Sequence, residues 1–225
     1  MSNSNPCASI AIIGGTGVEG SALAKRFAKS GVHTFIGSRD AKKAQNMANA
    51  INAQFGINWV EGFSNCEAAA KAEVILLALP CDCMTPICED IKPCVGGKVV
   101  INIASSLDVE KKSRARLNPA GSIAMELQNF FGENTKIIDA FQNISPEQLG
   151  KFDEKIDTDI LVVGADRETR DMVICLIKKI GIDAFDAGMI QNAVVVETMT
   201  AALIAINIRY KIKGAGIRII GVPRC

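Results

Sequence analysis

The sequence predicts an α/β fold: a doubly wound, mostly parallel sheet with helices on both faces and a small helical extension at the C-terminal end. Three observations carry this. Short apolar runs alternate with longer amphipathic stretches. A glycine-rich turn, Gly14-Gly15-Thr16-Gly17-Val18-Glu19-Gly20, joins the first apolar run to the first amphipathic stretch. The run at 74–79 is continuously apolar, as in a strand buried on both sides. A chain of 225 residues, 48% of them apolar, suffices for one sizeable core.

The first strand is expected at 9–13 and the first helix at 21–29. Between them Gly15, Gly17 and Gly20 have the G-x-G-x-x-G spacing of a Rossmann-type dinucleotide-binding turn. Gly15 permits the tight turn, Gly17 lets backbone approach a pyrophosphate, and Gly20 lets the helix lie close on the strand. The helix N-terminus offers the phosphates unpaired N–H groups and a partial positive charge. A second strand at 32–36 is followed by Gly37-Ser38-Arg39. A domain selective for NAD would carry Asp or Glu there, against the ribose 2′-hydroxyl. A serine hydroxyl and a guanidinium suit a 2′-phosphate instead, which points to NADP. Asp40 is expected to cap a helix at 41–54. Lys42 and Lys43 then place cations in its first turn, where a nearby anion would relieve them.

A short strand at 57–61 and a helix at 66–71 lead into the strand at 74–79, which Pro80 stops. Thr85-Pro86 has the pattern of an N-cap followed by proline at the first helical position, opening a short helix to Ile91. A strand at 98–103 ends in Ala104-Ser105-Ser106, and a polar loop with Lys111, Lys112, Arg114 and Arg116 follows. A helix at 122–131 and a strand at 136–141 come next. The segments 159–163, 168–179 and 183–185 either extend the sheet or form a small appended layer. A long helix at about 190–210 and a loop at 211–216 follow. This divides the chain into 1–145, binding NADP, and 146–225, completing the sheet and the acceptor site within a single compact unit. No internal repeat and no linker rich in Gly, Pro or Ser interrupts it.

A net charge of +1 without basic blocks argues against nucleic acid as a partner. Residues 1–6 are polar and lack the pattern of a signal peptide. The apolar segment 193–208 carries Glu197, Thr198, Thr200 and Asn207 and is shorter than the roughly 20 residues of a membrane span. A buried helix in a cytoplasmic chain, with no membrane partner, is the expectation. Of eight cysteines, Cys81, Cys83, Cys88 and Cys94 crowd together, while Cys7, Cys66, Cys175 and Cys225 are scattered. Their spacing matches no zinc pattern and the sole histidine is His33, so free thiols rather than disulfides or metal ligands are expected.

Open parallel sheets bind ligands outside the carboxyl ends of their strands, where the strand order reverses. That rule gathers 14–17, Ser38-Arg39, Leu79-Pro80, 104–106 and 140–145 into one rim. Pro80, Ala104 and Ser105 would flank a nicotinamide, and 141–143 would face it.

Gly14–Gly20, Gly37-Ser38-Arg39-Asp40 and Leu77-Ala78-Leu79-Pro80 resemble the coenzyme F420-dependent NADP oxidoreductase family. Ala140-Phe141, Asp159-Ile160-Leu161-Val162-Val163-Gly164, Asp186-Ala187-Gly188 and Glu197-Thr198-Met199-Thr200 extend the resemblance in order over almost the whole chain. The tail at 207–218 is close to the form in bacterial members. The resemblance implies hydride transfer between C4 of the NADP nicotinamide and C5 of the deazaflavin coenzyme F420, with the rings stacked. The cofactors then carry the redox chemistry and the protein supplies orientation. It further implies Thr16 and Val18 at the pyrophosphate and ribose, and Ser38 and Arg39 at the 2′-phosphate with Lys43 assisting. Pro80, with Leu79 before it, falls beside the nicotinamide, and Thr198 and Thr200 supply hydroxyls near the paired rings. A homodimer or larger homo-oligomer is implied, with the helix at 193–208 partly in the interface.

The chain departs from the family at Gln142, where members carry histidine, and at 104–107, where they carry a proline-containing segment. Glutamine makes hydrogen bonds but cannot carry a proton. These departures leave two alternatives open: an NADPH-dependent reductase of a flavin, quinone or other planar acceptor, and an NADPH-binding sensor without turnover. Arg209, Lys211, Lys213 and Arg218 either receive the anionic tail of the coenzyme or form a solvated face or subunit contact.

Overall fold

The alternation of apolar and amphipathic segments builds one sheet between two layers of helices. A computed structural model describes residues 9–152 and 154–224; the readings at 1–6, Cys7 and Cys225 lie outside them. Among the described residues eight strands form this sheet, in the order β3-β2-β1-β4-β5-β6-β7-β8. They are β1 (Ser9–Ile13), β2 (His33–Ser38), β3 (Val60–Ser64), β4 (Val74–Leu77), β5 (Val99–Asn102), β6 (Lys136–Asp139), β7 (Ile160–Gly164) and β8 (Ala184–Met189). All neighbours pair parallel except β6 and β7. The segment at 183–185 therefore belongs to the sheet rather than to an appended layer, and the strand order reverses between β1 and β4.

Alternation along the strands divides the core in two. Ile10 and Ile12 of β1 and Val74 and Leu76 of β4 pack with α1 (Val18–Lys29), α2 (Ala41–Phe55) and residues of α7 (Arg167–Lys179). Ala11, Ile13, Ile75 and Leu77 face the other way, onto α3 (Asn65–Lys71), α4 (Met84–Val95), α5 (Ile123–Phe131) and the start of α8 (Ala193–Tyr210). Both faces of the central strands are dry, which explains the unbroken apolar run at β4.

Several boundaries differ from expectation. Helix α1 starts at Val18, not Ser21, because Gly17 serves as its N-cap. Strand β3 begins at Val60 rather than Ile57. Gly56 in the left-handed conformation (φ 65°) ends α2, and Ile57 N–H still bonds to Asn52 O. The Asn52 side chain then grips both backbone groups of Val60, at 2.8 and 3.2 Å, setting the strand's start. Thr85 does not cap α4. A 3-10 turn at Cys81–Cys83 feeds a helix that starts at Met84 and runs through Pro93 to Val95. Pro86 lies in its first turn, where no N–H partner is lost. Strand β6 stops at Asp139, and Phe141 takes a positive φ of 75°. A short helix, α6 (Pro146–Leu149), is additional; buried Arg26 of α1 holds it by donating to Leu149 O at 2.6 Å and Lys151 O at 2.8 Å.

The expectation of a buried final helix is corrected. Together with its preceding 3-10 turn, 190–210 is long and apolar enough to cross a membrane, but only 28% of its apolar 18-residue stretch is buried here. Ala193, Val196, Glu197, Ala201 and Leu203 are buried, whereas Val195, Ile206, Ile208 and Tyr210 are exposed. The crowded cysteines also separate. Cys94 lies 2.8 Å, sulfur to sulfur, from Cys66 of α3, while Cys81 and Cys88 line a cavity beside α5.

The tail is tied down by Asp159, a fully buried carboxylate. It accepts from Ile219 N–H at 2.6 Å and from both terminal nitrogens of Arg224 at 2.8 Å. The Arg224 guanidinium holds its carboxyl below the usual range. A depressed folded pKa contributes stability above the unfolded value, about 3.9, and loses it as pH falls through the folded value. Arg224→Met is therefore expected to lower Tm at neutral pH. The deficit against wild type should shrink below about pH 4, as Asp159 protonates in both proteins. A pH-independent deficit in thermal melts would contradict this.

Candidate functional site

The carboxyl ends of β1, β4, β5 and β6 open into a cleft of about 690 Å³, closed on the far side by α8. Its near end is the glycine turn. Gly14 has φ 80°, and a Cβ there would sit 2.4 Å from Ala78 O, so the positive-φ residue precedes the three motif glycines. A Cβ on Gly20 would lie 2.5 Å from Gly14 O and 2.9 Å from Gly15 Cα, so only glycine lets α1 pack on the turn. Gly17, Val18, Glu19 and Gly20 line the cleft, and no side chain caps the helix. The first N–H groups of α1 are thus left for a ligand.

Glu19 is half-buried here, and burial pushes its carboxyl up to about 7. It is neutral below that pH and charged above it. An ionised Glu19 beside bound phosphates repels them, so affinity for NADPH is expected to fall as pH rises through about 7, and Glu19→Gln should flatten the dependence. Dissociation constants at several pH values check this; parallel profiles for the two proteins would refute it.

Ser38, Arg39 and Lys43 sit apart from the cleft walls, at the carboxyl end of β2. Gly37 O links that end to the turn, accepting from Gly14 and Gly15 N–H at 3.1 and 3.2 Å. Ser38 is buried and its hydroxyl oxygen accepts from Asp40 N–H at 3.2 Å. Asp40 caps α2 as expected, accepting from Lys43 N–H at 3.1 Å. Arg39, Lys42 and Lys43 are exposed and, among the described residues, form no ion pair. Gly15 and Thr16 lie within the turn and are not among the lining residues.

The middle of the cleft brings together Leu79, Pro80, Ala104, Ser105, Gln142 and Thr200. Three of them form a hydrogen-bonded chain. Thr200 Oγ1 donates to Gln142 O at 2.7 Å, so it accepts from Ser105 Oγ, 2.8 Å away. The Gln142 side-chain amide donates to Asn102 O at 2.9 Å. Thr198 is not part of this group: its hydroxyl turns back to Val194 O, 2.5 Å away on its own helix. Residues with no role assigned from sequence complete the wall, notably Leu203, Ile204 and Asn207, which share the face of α8 presented by Thr200. Their helical spacing from Thr200 is the signal that could have found them.

Of the basic C-terminal set, Arg218 is engaged by Asp157 at 2.8 Å, and Arg209, Lys211 and Lys213 are exposed away from the cleft lining. The cation in the lining is Lys112, from the loop after β5.

A protein family described as NADP oxidoreductase, coenzyme F420-dependent, matches residues 9–106. The chain is 38% identical over 218 residues to the F420-dependent NADP reductase of Methanocaldococcus jannaschii, covering 93% of this chain and 97% of that one. It is 37% identical over 221 residues to the F420-dependent NADP reductase of Methanothermobacter thermautotrophicus, covering 95% of each. Both relatives are archaeal, whereas the tail at 207–218 is expected to be close to bacterial members. A crystal structure from Arthrobacter, assigned as an F420-dependent NADP-reductase, superposes with a TM-score of 0.79 over 95% of this chain and 99% of that one. At 21% identity that likeness speaks for the fold alone.

Proposed function

This chain belongs to the coenzyme F420-dependent NADP oxidoreductase family, and on that premise we propose that its cleft binds NADP(H) and F420 face to face for hydride transfer between them. The observation that carries this reading is one continuous cleft, running from the uncapped N-terminus of α1 to the Thr200 face of α8. In this reading the amides of Val18 and Gly20 hold the pyrophosphate, the Gly17 N–H being spent on Gly14 O at 2.9 Å, while Ser38, Arg39 and Lys43 hold the 2′-phosphate. Leu79, Pro80 and Ala104 flank the nicotinamide. Ser105, Thr200 and Gln142 brace the wall against the second ring, and Thr198 holds helix α8 through its own backbone bond. When bound, the two rings supply the redox chemistry, a hydride passing between nicotinamide C4 and deazaflavin C5. The chain's own work is to align the rings and exclude water, which requires no side chain to exchange a proton with the reacting carbons. Amides, hydroxyls and apolar groups in the middle of the cleft suit that task.

A second copy of the chain is the proposed cover for the exposed apolar residues Val195, Ile206, Ile208 and Tyr210. Light scattering should then give a homodimer or larger species, and a monomer at micromolar concentration would remove this part of the proposal.

The activity is tested by mixing the purified protein with NADPH and oxidised F420, then with FMN, FAD and menadione in place of F420. Loss of NADPH absorbance with F420 supports the assignment. Turnover only with a flavin or the quinone, or tight NADPH binding with no turnover, overturns it.

A further inference from the structure

Beneath the cleft lie two carboxyl groups with no exposure, Asp139 at the end of β6 and Glu197 in α8. Glu197 is surrounded by donors. Its Oε2 accepts from Ser106 Oγ at 2.6 Å and Ile123 N–H at 3.0 Å, and its Oε1 from Ala124 N–H at 3.0 Å. Two of these donors are the first amides of α5, so this site suits an anion. Asp139 is placed differently. Its Oδ1 accepts from the Asn102 side-chain amide at 2.8 Å, but no donor reaches its Oδ2. Among the described residues neither carboxyl forms an ion pair. The groups bearing on Asp139 are Asn102 of β5 and Glu197 itself. An ionised Asp139 would leave a buried acceptor unsatisfied beside a second anion. A proton on Oδ2 turns that oxygen into a donor toward Glu197.

We infer that Asp139 and Glu197 share one proton as a buried acid–carboxylate pair, and that this pair positions the α8 wall of the cleft against the sheet. Burial and the neighbouring Glu197 charge, which push the Asp139 carboxyl well above the ordinary aspartate range, agree with this placement. The connections to the cleft are direct. Asn102, held by Asp139, accepts from Ala104 N–H at 3.1 Å and donates to Ala104 O at 3.2 Å, setting one wall. Asn102 O receives the Gln142 amide. Thr200, less than a turn beyond Glu197, reaches Gln142 O and Ser105. Removing the shared proton sets two anions against each other in a dry interior and separates α8 from β6. Both are positioning residues, and their role in turnover rests on the function proposed above.

The isosteric amides are expected to differ. In Asp139→Asn the amide nitrogen donates to Glu197 and the oxygen still accepts from Asn102, with no proton left to lose. Wild-type kcat should fall on the alkaline side, whereas Asp139→Asn should lack that fall and exceed wild type about threefold there. In Glu197→Gln an NH2 group faces donors, so kcat should drop at least about tenfold while NADPH affinity changes less than about threefold. Infrared difference spectra at neutral pH supply a readout that needs no substrate. A protonated-carboxyl C=O band should be present in wild type and missing from Asp139→Asn. Absence of that band, or equal losses in both variants with unchanged pH profiles, overturns the inference. A band without any F420 turnover leaves the acid pair standing and removes the proposed reaction instead.

Discussion

Replacing Arg39 with alanine is expected to weaken NADPH binding about thirtyfold while leaving NADH within about twofold. The basis is local. Arg39 follows β2 directly, is exposed, and among the described residues has no carboxylate competing for it. Ser38 spends its oxygen on Asp40 N–H but retains its hydroxyl hydrogen for a phosphate oxygen. Asp40, next in sequence, is engaged as the cap of α2. Arg39→Lys should give an intermediate loss, because it keeps the charge but not the two-pronged hydrogen bond. Added salt should narrow the gap between wild type and Arg39→Ala, since an exposed phosphate contact is screened. Calorimetric titration of both dinucleotides decides the matter: an equal loss for NADPH and NADH would place the guanidinium away from the 2′-phosphate.

Alanine at Gly20 and at Gly17 should both abolish measurable NADPH binding, yet only the first should damage the fold. The Gly20 methyl meets backbone atoms at 2.5 and 2.9 Å, and backbone on both sides cannot yield without moving α1 off the strand. A loss of about 1–3 kcal/mol, or at least about 3 °C in Tm, is expected. At Gly17 the methyl meets only Gly14 O, at 3.3 Å, and Gly17 lines the cleft where the pyrophosphate is proposed to lie. Its Tm should stay within about 2 °C of wild type. Normal NADPH binding by Gly17→Ala would show that the phosphates do not approach the turn.

Elements whose signals are local were legible. The strand at Ser9–Ile13, the glycine turn, the Asp40 cap and the helix ends at Lys29, Phe131, Lys179 and Tyr210 all follow from neighbouring residues. Elements set by a particular side-chain bond or by an adjoining turn, near or far in sequence, were not legible. Strand β3 was displaced because the Asn52 side chain pins Val60. Thr85-Pro86 has a capping pattern, but the 3-10 turn ahead of it starts the helix earlier. The carbonyl partners of Arg26 come from α6 and the residues just after it, more than a hundred residues later. Thr198 and Thr200 are equivalent in sequence; helical geometry turns one hydroxyl back on its own helix and the other to Gln142.

By itself, the sequence determined the dinucleotide half of this protein: a strand, a turn built of glycines, a helix N-terminus and the Asp40-capped corner after β2 that is proposed for the 2′-phosphate. Those features depend on conformations and charges set within a few residues of each other. Only the tertiary structure decided the opposite wall. Ser105 and Thr200 are 95 residues apart, Thr200 and Gln142 58, and Glu197 meets α5 across more than seventy. Contacts at such separations depend on how β5, β6, α5 and α8 pack. Side-chain hydrogen bonding of this kind leaves no periodicity in the chain.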